Sequence, residues 1–417
     1  MSIAERIRPA VTARNVALIA ICGCLISVLS FGPRSSLGFF LTPMSQSNGW
    51  GRDVFAFSLA LQNLLWGIGQ PFAGAIADRY GTARVISGGA LLYALGLAGM
   101  AYATAPSTLN LTAGVLIGFG LAGASPLIVI SAFGKLLPER YRPLSFGAST
   151  AAGSFGQFLF SPLAVALMGF FGWQEALAIM ALMLLVIVPL SLALGAPSSP
   201  GKAAPKAPVA PTASQSLGQA LKEALRHRSY LLLVLGYFTC GFQLAFITVH
   251  MPAYLVDRGL SAQVGGWTIA VIGLFNMFGS LYSGYLSGRM PKRYILAVIY
   301  FLRSLAILAF ITFPVTPVTA IAFGASMGLL WLSTVPPTSA LVQVMFGTRW
   351  LAMLVGFSFF SHQVGGFLGV LIGGIAFERT GSYDVVWWLS ILLGVLSALI
   401  NLPIVEKPAP RVAAAVA

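Results

Sequence analysis

The sequence predicts an all-α integral membrane protein with twelve transmembrane helices in two pseudo-symmetric six-helix bundles. Three observations carry that expectation. Hydrophobic residues fill 58% of the 417 positions and charged residues only 8%, where a soluble domain carries about 25% charged residues. Apolar stretches of roughly 20 residues, long enough to cross the hydrocarbon as helices, recur along almost the whole chain, and the short alternating segments of a β-barrel are absent. The basic residues, finally, gather at alternate ends of those stretches.

Apolar runs read against their breakers place the spans at residues 16–43, 53–77, 83–104, 108–134, 142–170, 174–195, 229–255, 263–288, 293–313, 317–345, 350–377 and 384–404. Residues 1–195 form the first bundle and 229–405 the second. The connecting segment 196–228 opens with a stretch holding five prolines and two lysines, unsuited to a packed span, and closes with an amphipathic helix expected on the membrane surface. A tail, 406–417, completes the chain. The first apolar run is too long for a cleavable signal peptide and has no small-residue cleavage site.

With both termini cytoplasmic, 19 of the 24 basic residues face inward and only Arg52, Arg258 and Arg379 face outward, leaving two within spans. That bias is the positive-inside pattern of a plasma membrane (bacterial inner membrane) protein. The net charge of +14 therefore follows the membrane, and no basic patch interleaved with exposed aromatics points to nucleic acid. Cys22, Cys24 and Cys240 lie in apolar segments without a ligand cluster, so they read as packing residues; no metal or cofactor is expected. No nucleophile triad and no phosphate-binding loop argues for an enzyme.

The halves echo each other. Span two ends in Gly74-Ala-Ile-Ala-Asp78-Arg79-Tyr-Gly81 and span eight in Gly284-Tyr-Leu-Ser-Gly288-Arg289, while Gly153/Gly156 in span five answers Gly365/Gly366 in span eleven. The run Gly74-x-x-x-Asp78-Arg79-x-Gly81-x-x-Arg84 resembles the signature loop between the second and third helices of the major facilitator superfamily. Gly81 permits the reversal, Arg79 and Arg84 face the inner leaflet, and Asp78 can pair toward the other half, a link that would break as the protein opens inward. The resemblance implies transport by alternating access around a midplane site. The arginine often found early in span four and the Gly-Pro pair of the drug antiporters in span five are missing.

All ten acidic residues lie at or near loops, so the intramembrane charges are cationic or potentially so: Arg34, Arg303, His250 and His362. An arginine at the span centre costs about 2.5–3.5 kcal/mol on insertion scales and needs a cavity or a partner. With no buried carboxylate available, that partner is expected to be an anionic substrate, and a guanidinium suits a carboxylate. Arg34 lies in Phe31-Gly-Pro33-Arg34-Ser35-Ser-Leu-Gly-Phe39-Phe40, where Pro33 loosens the helix. This segment resembles the first helix of the monocarboxylate transporter family, in which a Pro-Lys-Ser followed by paired phenylalanines holds the essential cation; Arg34 matches that lysine. The likeness extends to Ala152-Gly153-Ser154 with Pro162 and Phe171-Gly172-Trp173, and to Trp331-Leu332-Ser333. It departs in span eight, where the family's acid and arginine are Asn276 and Ser280.

His362, aligned from Gly356, matches the position of a functional lysine in the related oxalate/formate exchangers. It is a candidate for substrate binding and proton coupling. His250, ahead of Pro252, is a candidate gate or an interfacial structural residue. Arg303 either anchors span nine through carbonyls or reaches the substrate. Trp66, Gln62, Asn63, Ser125, Gln157, Asn276 and Trp331 are candidates for a polar and aromatic lining or for helix-packing contacts. Pro336-Pro337 should bend span ten. The expected function is secondary transport of a small organic anion, a monocarboxylate, by proton symport or anion exchange, with the chain embedded in the bilayer and working as a monomer. Efflux of amphipathic compounds and a non-transporting ligand sensor stand as alternatives.

Overall fold

The computed structural model describes residues 13–138, 141–195, 217–347 and 351–409, and among them there are helices and turns but no strand. Residues 196–216 of the expected linker, 410–417 of the expected tail, and the side chain of Asp78 lie outside that description. The first span is continuous through α1 (Ala13–Ser36), a 3-10 turn and α2 (Leu41–Asn48). It runs five residues past the expected end because Gly49, in the left-handed region at φ 66°, caps polar residues that the apolar pattern does not count. There follow α3 (Arg52–Tyr80) and α4 (Thr82–Ala101), joined by Gly81 at φ 97°. Span four is broken into α5 (Pro106–Leu109), a π-helical turn, α6 (Ile117–Gly123) and α7 (Pro126–Leu136), and Ser125 caps the last of these by accepting from the Ile128 N–H. The first half closes with α8 (Arg142–Phe171), α9 (Trp173–Leu185) and α10 (Ile187–Ser191).

The second half is led by the amphipathic α11 (Leu217–Arg226). After it come α12 (Arg228–Asp257), α13 (Ala262–Ser287), α14 (Lys292–Thr312), α15 (Pro317–Leu330), α16 (Val335–Phe346), α17 (Leu351–Thr380) and α18 (Asp384–Asn401). Among the described residues, eleven spans are long and apolar enough to cross a membrane. The remaining one of the expected twelve is α3. Its 29 residues suffice in length, but Gln62, Asn63 and Gln70 dilute its apolar content. All three are buried, so the polar face of α3 packs against protein and is kept from lipid.

Glycine brings the helices together. Gly365, Gly369 and Gly373 fall every fourth residue on one face of α17, and a methyl on the first two would strike the backbone carbonyls of Phe238 and Phe242 in α12. With no water to drive helices together in lipid, such close packing supplies the association energy.

The halves touch along α3 and α17, α8 and α13, and α12 and the turn after α1. Contact is tight at one end: Gly38 backs onto Thr248 and Val249, and Gly374 onto Asp53 and Ala56. At mid-depth Gly67 packs on Gln363. Seven residues further along α3, about 10 Å at 1.5 Å per residue, Gly74 has open space around it, as do Gly147 on α8 and Gly356 on α17. A cleft therefore opens between the halves at the end carrying Gly81, and the end carrying Arg52 is shut. Gly369→Leu should lower the unfolding temperature of the detergent-purified protein markedly, by about 3 kcal/mol of overpacking, while Gly169→Ala, with open space around it, leaves it within a few degrees.

Candidate functional site

Arg34 sits in the last turn of α1, at the closed roof of the cleft, and keeps partial exposure. Its Nη2 donates to Asn63 Oδ1 (2.7 Å). Its guanidinium lies over the Trp66 ring at 4.8 Å from the centroid and 5.6 Å from that of Phe31. Its Nε has no partner, and no carboxylate among the described residues pairs with it. One hydrogen bond to a neutral amide and two aromatic faces leave this cation with donors to spare. Tyr93 of α4 lies buried within electrostatic reach, and its hydroxyl is also unpartnered.

Across the cleft stands His362. Trp66 meets Phe359 edge-on at 5.4 Å, and Phe359 stacks on His362 at 5.7 Å. The imidazole also packs on Tyr237 at 5.1 Å and lies beside the Cys240 thiol. His362 Nδ1 is 3.0 Å from Gln363 Oε1, and Gln363 Nε2 donates to the Asn63 carbonyl across the halves (3.1 Å). Arg34 and His362 are thus joined through Asn63 and Gln363, two residues that the sequence places on opposite halves.

The other expected lining residues are engaged by the protein. Asn276 donates to Ser154 Oγ (2.9 Å) and accepts from the Leu332 N–H (2.9 Å). Gln157 donates to the Ile269 carbonyl (3.3 Å), leaving its Oε1 unpartnered. The bonds to Ser154 and from Gln157 cross between α8 and α13, so these amides fasten the bundles together. Trp331 is buried, as are Gln62, which donates to the Ala113 carbonyl, and Ser125, which receives Gln70. Arg79 and Arg84 are exposed at the open end, stacked on or bonded to Tyr80.

Arg303 is fully buried. Helix ten breaks between α15 and α16, directly ahead of Pro336 and Pro337, which take the first positions of α16. The break frees carbonyls, and Arg303 gathers them: Nε donates to Leu330 O (3.1 Å) and Nη2 to Leu330 O (2.5 Å) and Trp331 O. A cation at the C-terminal end of α15 also meets the negative end of that helix's dipole. The same break is held by Asn276 on the Leu332 N–H, by Ser283 on Ser333 O, and by Cys240 against Thr334 (3.3 Å). The partners Arg303 finds are these carbonyls of helix ten, and its Nη1 has none.

A cluster that no motif announced closes the shut end. Arg52, at the start of α3, forks onto Asp257 of α12 with bonds of 2.6 and 2.7 Å. Its backbone N–H donates to Glu378 of α17 (2.6 Å), its Nη1 to the Tyr383 hydroxyl (3.0 Å), and its guanidinium lies 3.8 Å from the Phe377 centroid. Tyr383 leads on to His250, which is wholly buried, with Nδ1 at 3.3 Å from the hydroxyl and Nε2 at 2.9 Å from Val370 O. The signal available in the sequence is topological: the span assignment puts Arg52, Asp257 and Glu378 on one face of the membrane.

A bundle of this kind, with two helical halves closed at one end, a cleft at the other and a bare cation at its roof, defines a membrane transporter. The family model of the Major Facilitator Superfamily matches residues 23–370, and the chain belongs to that superfamily. It is 27% identical over 386 residues to the uncharacterized MFS-type transporter YcxA of Bacillus subtilis, covering 90% of this chain and 91% of that protein. It is 26% identical over 397 residues to monocarboxylate transporter 11 of Homo sapiens, covering 89% and 79%. In fold it is similar to a bacterial homologue of the human lysosomal transporter Spinster in an inward-facing, unoccupied conformation (TM-score 0.71, 16% identity, 94% and 96% covered). It is also similar to a D-xylose–proton symporter (TM-score 0.68, 14% identity, 94% and 97% covered).

Arg303→Met leaves the carbonyls of Leu330 and Trp331 without donors in a dry interior, at about 1–3 kcal/mol each. The variant should unfold at clearly lower temperature than wild type, and Arg303→Lys, with no fork to span two carbonyls, should fall between them.

Proposed function

We propose that this chain is a secondary transporter of small organic anions, monocarboxylates in particular, driven by proton symport or anion exchange. The observation that carries this reading is Arg34: a cation at the roof of the cleft, bonded to one neutral amide and to no carboxylate, with its Nε unpartnered. A buried charge without a counter-ion is costly, and an anionic cargo supplies the missing partner when it binds. A carboxylate on Arg34 would complete the guanidinium's donors, and the aromatic wall of Phe31, Trp66 and Phe359 would take a short apolar tail. His362 faces the same space from the second half, so a bound anion would draw the halves together. Several relatives are named as monocarboxylate transporters, which favours this cargo.

In this reading the shut end carrying Arg52 is extracellular, the cleft opens to the cytoplasm, and both termini are cytoplasmic. The bacterial relative favours an inner-membrane location. Transport then requires the halves to rock about the midplane so that the Arg52 cluster parts and the cleft closes.

The test is uptake of labelled monocarboxylates, dicarboxylates and neutral analogues into proteoliposomes, with and without a pH gradient. Wild type should accumulate monocarboxylates. Arg34→Ala should weaken apparent affinity about 10- to 100-fold, the worth of a charge-assisted contact, and Arg34→Lys should retain part of it. Undiminished carboxylate uptake by Arg34→Ala would overturn the assignment. Efflux of amphipathic cations, indifferent to Arg34, would replace it with the drug-transport reading.

A further inference from the structure

His250 has no role in the cleft, yet among the described residues it is the buried imidazole wired to the contact that shuts the molecule. Its Nε2 faces the Val370 carbonyl at 2.9 Å. A carbonyl can only accept, so Nε2 carries the hydrogen and Nδ1 of the neutral ring must accept. The acceptor is filled by the Tyr383 hydroxyl at 3.3 Å, whose oxygen in turn accepts from Arg52 Nη1 at 3.0 Å. The hydrogen bonds therefore run outward from Arg52, to Asp257 on one side and through Tyr383 and His250 to Val370 on the other. They span both halves, and with the ring neutral every bond among them has one donor and one acceptor.

We propose that His250 is a proton-binding site of the transport cycle, placed so that taking up a proton opens the Arg52 end and losing it lets that end close. The inference rests on the reading of this chain as an alternating-access transporter.

The physical argument is a conflict of donors. A proton on Nδ1 turns the ring into a donor on both sides. Tyr383 would then accept from Arg52 and His250 together, with its own hydrogen left without the acceptor it has now. A positive charge on the fully buried ring would also stand one hydroxyl away from the Arg52 guanidinium, which is itself paired with Asp257 at the partly exposed edge of the cluster. Parting the halves relieves both, because Arg52 withdraws with α3 and water reaches the ring. Closure and protonation thus oppose each other, and by linkage each shifts the other equally.

The charged and titratable groups near the ring come from four elements. α3 contributes Arg52 and its neighbour Asp53, and α17 contributes Glu378 and its neighbour Arg379. The turn leading into α18 contributes Tyr383 and Asp384, and α12 itself contributes Tyr254, Asp257 and Arg258. The turn and short helix after α1, residues 37–48, contribute none, and the tyrosines of α13 lie toward its other end. Asp257 and Glu378 already pair with Arg52, the first through its side chain and the second through its backbone. The ring's two hydrogen-bond partners are a hydroxyl and a carbonyl, so a proton arriving there is not neutralised in place.

The experiment is pulsed electron paramagnetic resonance in lipid nanodiscs. Spin labels go on Gln46→Cys and Gln263→Cys, exposed residues of opposite halves at the shut end, in a background carrying Cys22→Ser, Cys24→Ser and Cys240→Ala. In the otherwise wild-type chain the ratio of long to short distances should rise as pH falls from 8 to 5, by up to about tenfold per pH unit within the titration range. His250→Gln and Tyr383→Phe should abolish that pH response. Tyr383→Phe keeps the ring packing against Phe377 and His250 and so guards against misfolding, which thermal unfolding checks for both variants. A pH response that persists in His250→Gln, or a wild-type distribution indifferent to pH, overturns the proposal. The readout needs no cargo: a failure of carboxylate uptake with a pH-responsive gate would sink the cargo reading and support the proton site.

Discussion

Water does not reach the middle of a bilayer, and every polar atom placed there must find its partner within the protein. That constraint explains more of this molecule than any motif. Pro336 and Pro337 cannot donate to the backbone ladder, and helix ten breaks just ahead of them. In a soluble protein the freed groups would turn to solvent. Here they are met by Arg303, Asn276, Ser283 and Cys240, drawn from three neighbouring helices. The break is consequently a joint held from outside, and the second half is organised around it.

The same constraint separates the two intramembrane arginines. Arg303 is supplied with carbonyls by the break, and its charge is offset by the end of a helix. Arg34 is supplied with one amide and two aromatic faces, and nothing of opposite charge. The two differ in the kind of partner, carbonyls for Arg303 and an amide with an aromatic wall for Arg34, and each keeps one guanidinium nitrogen without a hydrogen bond. The two are nevertheless linked by contacts. From Arg303 the path runs through Trp331 O, Cys240, His362, Gln363 and Asn63 to Arg34. A ligand that pulls on Arg34 and His362 therefore acts on residues that also touch the joint in helix ten.

Much of this architecture is legible in the sequence, because membrane insertion reduces a fold to apolar length and charge sidedness. The spans, the turn at Gly81 and the bend announced by Pro336-Pro337 follow from residue type alone. The helix that fits least well is α3, whose Gln62, Asn63 and Gln70 dilute its apolar pattern because that face packs on protein. Residue type does not reveal pairing across long separations. Asn276 and Gln157 look like cavity polars when read singly; in the fold Asn276 bonds Ser154 and Leu332 and Gln157 Nε2 bonds Ile269, contacts set by how α13 meets α8 and helix ten. Arg303 reads as anchor or ligand from sequence alone, because the carbonyls it meets belong to another helix. The Arg52 cluster joins residues from positions 52, 257, 378 and 383, and no local spacing connects them.

The asymmetry between the two ends follows from how these contacts are distributed. At the shut end a guanidinium, two carboxylates, a phenol and close glycine contacts hold the halves. At mid-depth, neutral amides do so, and at the cleft end the facing glycines meet nothing. Neutral amide bonds are each worth about 1 kcal/mol net, so the middle layer can be remade at small cost as the halves rock. The shut end is different, since parting it strips Arg52 of three partners at once. In the proposed cycle, the drive for that step is a positive charge gained by the fully buried ring behind Tyr383. Cargo at Arg34 and charge at His250 act, in that cycle, on opposite sides of the same middle layer. One draws the halves together over the anion, and the other pushes them apart at the far end.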